Sequence, residues 1–162
     1  MPLLGLRGIA LSSAVLVGAL SLGAWDSRSS GTAPNACAFV SVAEVSALIG
    51  APAGGGQVSV VDNDKSLTAS CMYTRGGRPS VIVMVGDYPS ATAAHQELVT
   101  EMHNSADNVP EAGIGDGAYS TSVNVESITA VRGTRMASIA IIDGTAGMHD
   151  RVRALLVKAL AR

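Results

Sequence analysis

Apolar residues recur at helical spacing in three stretches of the chain, and the segments between them alternate as strands do. The first helical stretch begins with a capping box, in which the Ser41 hydroxyl and the Glu44 carboxylate satisfy each other's backbone amides. An apolar stripe follows at residues 45, 48 and 49, and Gly50 and Pro52 are placed to end it. The pattern therefore predicts a short first helix.

Two further segments carry their apolar residues on one helical side. Residues 90–102 form the first, and the second begins at Thr145, whose hydroxyl is placed to cap a final helix. Asp150 near the start of this helix, and Lys158 and Arg162 near its end, suit the helix dipole. The apolar positions are Ala91, Ala94, Leu98 and Met102 in the first segment, and Val152, Leu155, Leu156, Ala159 and Leu160 in the second.

Six segments have the composition of strands. Residues 80–85 form a continuous apolar run, which predicts a central strand covered on both faces. Gly76-Gly77 and Gly133-Thr134 predict tight turns between neighbouring strands. A loose turn is expected at Gly54-Gly55-Gly56, and a loop is expected over residues 108–116. The other predicted strands span residues 57–62, 68–75, 118–125, 127–132 and 136–142.

The order of these elements is helix, three strands, helix, three strands, helix. It predicts an α+β fold with a mainly antiparallel sheet of about six strands, flanked by helices. The two halves also resemble each other, since Ser66-Leu67-Thr68-Ala69 matches Ser127-Ile128-Thr129-Ala130 and Arg75-Gly76 matches Arg132-Gly133. Two explanations stay open: an internal repeat, or chance similarity between two hairpins.

The N-terminal segment has the pattern of an export signal. One positive charge at Arg7 precedes an uncharged apolar stretch over residues 8–24, which ends in small residues. We therefore predict a signal peptide at residues 1–24, a flexible polar linker at 25–35 and a single α+β domain at 36–162. The expected location is extracellular or in the cell envelope.

Trp25 leaves three alternatives for attachment of the chain. The signal is cleaved after Ala24, or it stays uncut as an anchor, or Trp25 replaces a cysteine that would carry lipid. The apolar core is short and contains several glycines and serines, which favours a signal peptide over a permanent membrane helix. Membrane contact is expected only if the segment is uncleaved.

Composition argues against nucleic acid as a partner. The formal net charge is -2, so the chain offers no strongly basic face. Aromatic residues make up 3% of the chain, which leaves few platforms on which bases or sugars would stack.

Cys37 and Cys71 are the two cysteines of the chain. In an exported protein an even number of cysteines indicates a disulfide, and this one would close a loop of about 35 residues, contributing roughly 3.5–4 kcal/mol. A reactive thiol and a metal pair are the alternatives. The spacing is far from a C-x-x-C motif, and neither cysteine has a histidine beside it, so the bridge is favoured.

Two motifs resemble ligand loops. Gly113-Ile114-Gly115-Asp116-Gly117 looks like a phosphate loop, but it follows a turn-like segment and precedes a strand, which indicates a structural turn. Asp62-Asn63-Asp64 resembles the start of an EF-hand, but Leu67 and Tyr73 occupy the positions that need glycine and glutamate. A hairpin loop is the better interpretation.

Four residues are candidates for acid–base chemistry: Asp116, His95, His103 and His149. His95 and His103 would lie about 12 Å apart along one helix, too far to share a metal. Glu97 and Glu101 are four residues apart, and their like charges predict a solvated face. Because no catalytic set converges, we assign no catalytic, cofactor-binding or metal-binding residue and expect no cofactor.

Five segments of the chain form a further pattern: Ala36-Cys37-Ala38-Phe39-Val40-Ser41, Glu44-Val45, Leu48-Ile49-Gly50, Cys71-Met72-Tyr73 and Gly113-Ile114-Gly115-Asp116-Gly117-Ala118-Tyr119. In these segments the chain from Cys37 onward resembles a family of small exported lipoproteins, mostly actinobacterial, called domain-of-unknown-function family 3558. It implies a cell-envelope domain with its two cysteines bridged and no established activity. Members usually carry a lipidated cysteine where this chain has Trp25.

These observations favour a non-enzymatic binding or accessory module whose partner is an unidentified envelope protein or a small ligand. The main alternative is an unrecognised envelope enzyme, such as a hydrolase that uses Asp116 or a histidine. A purely structural accessory protein is a third reading. The sequence predicts no oligomeric state.

Overall fold

Helices and strands follow one another closely in the computed structural model, which describes residues 32–62, 65–123, 125–143 and 147–162. Within these ranges lie four helices and seven strands. The N-terminal half comprises α1 (Ala36–Phe39), α2 (Val42–Ile49), β1 (Gly54–Asp62), β2 (Leu67–Arg75) and β3 (Arg78–Asp87). The C-terminal half comprises α3 (Ala91–His103), β4 (Val109–Glu111), β5 (Gly117–Thr121), β6 (Glu126–Arg132), β7 (Arg135–Ile141) and α4 (His149–Leu160).

The described strands form one antiparallel sheet in the order β1-β2-β3-β7-β6-β5-β4. The predicted α+β class and antiparallel sheet are thus confirmed. β3 and β7 pair at the centre, with Val83 opposite Ile139 and Met84 opposite Ser138. This pair joins the β2–β3 hairpin to the β6–β7 hairpin. Gly76 has a φ of 57°, as its tight turn requires.

The two faces of the sheet carry different side chains because successive residues of a strand point to opposite sides. The core face carries Cys71, Val83 and Ile139, and α1, α2 and α4 pack against it. The opposite face, which we call the α3 face, carries Tyr119 and Val131, which form a second apolar cluster with α3. α3 and α4 therefore lie on opposite faces, so any repeat of the two hairpins does not extend to the helices that follow them.

Two predictions about loops were wrong, and the sheet has seven strands where about six were expected. The three glycines at 54–56 begin β1 instead of forming a turn. Gly56 is needed there because a Cβ atom would overlap the sulfur of Cys71. Residues 109–111, predicted as part of a loop, form β4 at the sheet edge. An edge position tolerates Pro110, whose nitrogen has no hydrogen to donate.

The central strand was expected to be covered on both faces, and this expectation was wrong. Val81, Val83 and Val85 of β3 are buried on the core face. Met84, on the α3 face, is 42% exposed. The α3 face is therefore open over part of the central strands. The strand predicted over residues 118–125 also ends early, at Thr121.

The first predicted helix is confirmed as α2. Ser41 and Glu44 make both hydrogen bonds of the capping box, and Gly50 adopts the left-handed conformation with a φ of 66°. The short helix α1, which was not predicted, precedes it and is capped by the Asn35 side chain. Its four residues are too few to show a helical repeat of apolar positions.

The two later helices differ from prediction at their starts. Ser90 caps α3, but Ala91, expected on its apolar side, is exposed. α4 begins at His149 with Met148 as its N-cap residue, and Thr145, the predicted cap, lies outside the described residues. The apolar side predicted for α4, Val152 to Leu160, is buried.

Cys37 and Cys71 come together as a disulfide, with their Cα atoms 5.1 Å apart. The bond joins α1 to β2 on the core face. The buried Tyr73 hydroxyl donates to the backbone oxygen of Val40, just after α1. Both contacts hold the start of the domain on the sheet.

The predicted signal peptide at 1–24 and most of the linker at 25–35 lie outside the described residues. The described residues belong to one compact unit. Across the described ranges, none of the helices has the length and apolar character needed to cross a membrane.

Glu44 gives the fold a specific pH dependence. Its carboxylate accepts from the Ser41 amide at 3.0 Å, from Lys158 at 2.9 Å and from Arg162, and these contacts lower its pKa to about 2. The unfolded chain then binds a proton more readily than the folded one, so this stabilisation is lost as the pH falls from 4.5 to about 2. Since Lys158 and Arg162 are largely exposed, solvent screening reduces the effect to about 1–2 kcal/mol.

We expect Glu44→Gln to lower the free energy of unfolding by that amount at neutral pH and to have little effect at pH about 2. Denaturant unfolding at both pH values measures this, with Asp107→Asn, at an exposed position, as the matched control. An equal loss at both pH values would mean that the charge of Glu44 is not what stabilises the fold.

Candidate functional site

A cavity of about 310 Å³ lies between α3 and the part of the α3 face that the helix does not cover. Its floor comes from β2, β3, β6 and β7, and one wall comes from α3. Floor residues include Thr68, Met84, Thr129, Ser138 and Ala140.

The cavity exists because the floor side chains are small. Ser127, Thr129, Ser138 and Ala140 alternate with the large residues that fill the core face, such as Ile128 and Ile139. Thr129 and Ser138, on neighbouring strands, share a buried hydrogen bond of 3.0 Å. The floor is therefore polar in composition, although these two hydroxyls are already bonded to each other.

Two glutamates of α3 face the cavity, so the prediction that Glu97 and Glu101 occupy a solvated face was wrong. Glu97 is 23% exposed at its side chain and accepts from Lys65 at 3.2 Å. Glu101 is half-buried. The two lie beside the buried residues Ala94 and Leu98, because residues three and four apart share one side of a helix.

Glu101 is paired with a tyrosine inside the cavity. The Tyr119 hydroxyl donates to its carboxylate at 3.0 Å. Burial raises the pKa of Glu101 above its ordinary value, and the nearby charge of Glu97 raises it further. Burial also raises the pKa of Tyr119 to about 12, so the phenol stays protonated and remains the donor.

A second tyrosine completes the wall. Tyr88 follows β3, is 9% exposed, and is held by its backbone amide, which donates to Thr134 at 2.9 Å. Burial raises the pKa of its hydroxyl. Tyr88 and Tyr119 are two of the three tyrosines in the chain. Because the chain has few aromatic residues, the presence of two tyrosines in this cavity distinguishes the cavity from the rest of the described surface.

The glycine-rich segment 113–117 is a structural turn, as predicted. Gly113 and Gly115 have φ values of 74° and 55°, and Gly115 packs against the backbone oxygen of Val131. The Asp116 carboxylate accepts from the amide of Gly133 at 2.7 Å. Asp116 was a candidate for acid–base chemistry, but in the structure its carboxylate anchors the β6–β7 hairpin.

The histidines do not form a joint site. His95 and His103 lie on α3, where the His103 ring contacts the Val99 backbone oxygen at 2.8 Å. His149 lies on α4 at the opposite face, and its ring is 2.7 Å from the carboxylate of Glu111. That hydrogen bond raises the pKa of His149 above its ordinary value.

Over the described ranges, no group of three or more histidine, cysteine or acidic residues is arranged to hold a metal ion. Of the segment that resembles an EF-hand, Asp62 ends β1, while Asn63 and Asp64 lie outside the described residues.

Comparison of the chain with known protein families finds no match, and comparison with curated proteins finds none either. The resemblance to domain-of-unknown-function family 3558 therefore stays a prediction. The cavity residues Glu97, Glu101, Tyr88 and Tyr119 were not predicted as a site from the sequence. One feature of the sequence could have indicated the open sheet face: the small residues at alternate positions of β6 and β7.

Proposed function

We propose that this chain is an exported, non-enzymatic binding module that holds a small ligand in the cavity beside α3. The observation that carries the proposal is the convergence of two carboxylates and two tyrosines on one cavity whose floor is the antiparallel sheet. Ligand sites in proteins are typically concave and partly apolar, with a few polar groups that fix the ligand's orientation.

The size of the cavity suits a small molecule. Ligand pockets range from about 300 to 1,000 Å³, and this cavity lies at the lower end with about 310 Å³. That is about ten times the volume of roughly 30 Å³ that one water molecule occupies in the liquid. A compact ligand fits this space, whereas a folded partner protein would contact the rim only.

The positions of the polar groups favour binding over catalysis. Asp116, which the hydrolase alternative would use, holds a hairpin turn, and His149 pairs with Glu111 away from the cavity. Among the described residues that line the cavity there is no cysteine or histidine to act as nucleophile or base. The hydrogen bond from the Tyr119 hydroxyl positions the Glu101 carboxylate, and the raised pKa of Tyr119 keeps its phenol protonated.

Export remains part of the proposal. A disulfide supports it, since such bonds persist in oxidising compartments outside the cytosol. The sequence pattern of residues 1–24 and the resemblance to domain-of-unknown-function family 3558 support a cell-envelope or secreted location. Within that setting the ligand would be a small molecule of the envelope or its surroundings.

A cavity-filling variant tests the binding function. Ala140→Leu adds bulk to the cavity floor, and Ala154→Leu, at an exposed position of α4, is the matched control. We expect ligand-observed NMR with a panel of small alcohols, amines, carboxylates and monosaccharides to detect binders of the wild type and of Ala154→Leu. The same compounds should fail to bind Ala140→Leu. A panel without binders, or binders unaffected by Ala140→Leu, would contradict the proposal.

A further inference from the structure

We infer that the ligand of this cavity is an organic cation, an ammonium group on a short apolar body, received by Glu97, Glu101 and the rings of Tyr88 and Tyr119. The inference rests on the proposed function, because it names the ligand class of that same cavity. Three features of the cavity support it: its charges, the environment of one carboxylate, and its aromatic and thioether surface.

The charges of the cavity favour a cation. Among the described lining residues, Glu97 and Glu101 contribute two carboxylates, and Lys65 contributes one ammonium group. Lys65 contacts Glu97 at 3.2 Å and is 68% exposed, which places it at the rim. An anionic ligand would meet two like charges in a partly desolvated space, whereas a cation restores the balance.

Glu101 is the carboxylate best placed to receive that cation. It is half-buried, and burial of a carboxylate without a positive partner is unfavourable. The Tyr119 hydroxyl donates to it at 3.0 Å, but a carboxylate has about four positions that accept hydrogen bonds. An ammonium donor would use further positions and would bring a positive charge into direct contact with the carboxylate, in addition to the electrostatic effect that Lys65 already exerts on it.

The remaining surface suits the body of such a ligand. The faces of tyrosine rings attract cations, by about 0.5–1 kcal/mol at exposed sites and about 2 kcal/mol when desolvated. Met84 and Met136 contribute flexible thioether side chains that adapt to an alkyl chain. Since Thr129 and Ser138 are bonded to each other, the floor demands few hydrogen bonds from a ligand.

Three probes of equal length test the charge of the ligand: hexylammonium, hexanol and hexanoate. Titration calorimetry measures the binding of each probe to the protein recovered from its host. We expect hexylammonium to bind at least about tenfold more tightly than the other two, because hydrogen bonds between charged partners contribute about 1.5–3 kcal/mol.

Variants locate the binding. Glu101→Gln and Glu97→Gln keep the shape of the side chain and remove the charge, and each should weaken hexylammonium about tenfold. Asp150→Asn removes a charge from α4 on the opposite face and should leave binding unchanged. Tyr88→Phe keeps the ring and should bind hexylammonium as the wild type does, whereas Tyr88→Leu should bind it more weakly.

Because burial disfavours the ionised Glu101, Glu101→Gln should fold at least as stably as the wild type.

The outcomes separate the two proposals. If hexanol or hexanoate binds more tightly than hexylammonium and Ala140→Leu abolishes that binding, the cation inference fails while the binding function stands. If hexylammonium binds Glu101→Gln, Glu97→Gln and the wild type equally, the carboxylates do not receive it and the inference is wrong. If none of the three probes binds, the inference is also wrong, and the wider panel decides the binding function.

Discussion

Replacing both Cys37 and Cys71 with alanine will lower the free energy of unfolding by about 3–4 kcal/mol under oxidising conditions. The bridge spans 34 residues of sequence, so its loss frees a long loop in the unfolded chain. Cys71 is also fully buried and packs beside Gly56, where the smaller alanine leaves unfilled space. Denaturant unfolding followed by circular dichroism measures the difference.

Reductant provides the matched control for this prediction. The wild type should lose stability when a reductant is added, whereas the double-alanine variant should not respond to it. Unfolding of the variant at the same denaturant concentration as the oxidised wild type would show that the bridge does not stabilise the domain.

Gly115→Ala will lower the free energy of unfolding by about 2–4 kcal/mol. Gly115 has a φ of 55°, a conformation that costs about 1–2 kcal/mol for a residue with a Cβ atom. That atom would also overlap the backbone oxygen of Val131, so β6 or the turn must shift. The same denaturant unfolding experiment measures the loss.

Gly133→Ala separates the two causes. Gly133 has a similar φ of 59°, but no atom lies within 4 Å of the position of its Cβ. It should therefore show only the conformational cost, about 1–2 kcal/mol. Equal losses for Gly115→Ala and Gly133→Ala would contradict the close approach of residue 115 to β6.

The elements that sequence predicted well are those with strong local signals. The capping box and Gly50 define α2, and the paired glycines at 76–77 define the β2–β3 turn. In these segments, neighbouring residues decide the backbone conformation. α1 and β4 were missed because four and three residues are too few to show periodicity, and both depend on contacts with β2 and β5.

The glycines at 54–56 show a different limit. Glycine clusters usually indicate a turn, but here the strand continues because the disulfide lies against it and excludes a side chain. The sequence predicted the bridge between Cys37 and Cys71, but it did not show which strand would pack beside their sulfur atoms. A long-range contact therefore overrode a local preference.

The cavity could be predicted only in part. Alternating small residues in β6 and β7 indicate a sheet face with room above it. Whether Glu97 and Glu101 point to solvent or to that face depends on the rotation of α3 about its axis. Leu98 and Ala94 set this rotation by packing against Tyr119 and Val131, contacts between segments far apart in sequence.

A map of backbone amide chemical shifts during titration of the protein with hexylammonium tests cation binding in the cavity most directly. A cation bound there should cause saturable shifts on α3 around Glu97 and Glu101, at Tyr119, and at Met84 and Ser138 of the cavity floor. α4 and the core face should stay unperturbed. Saturable shifts confined to α4 or β1, or no saturable shifts at all, would contradict the claim that this cavity binds an organic cation.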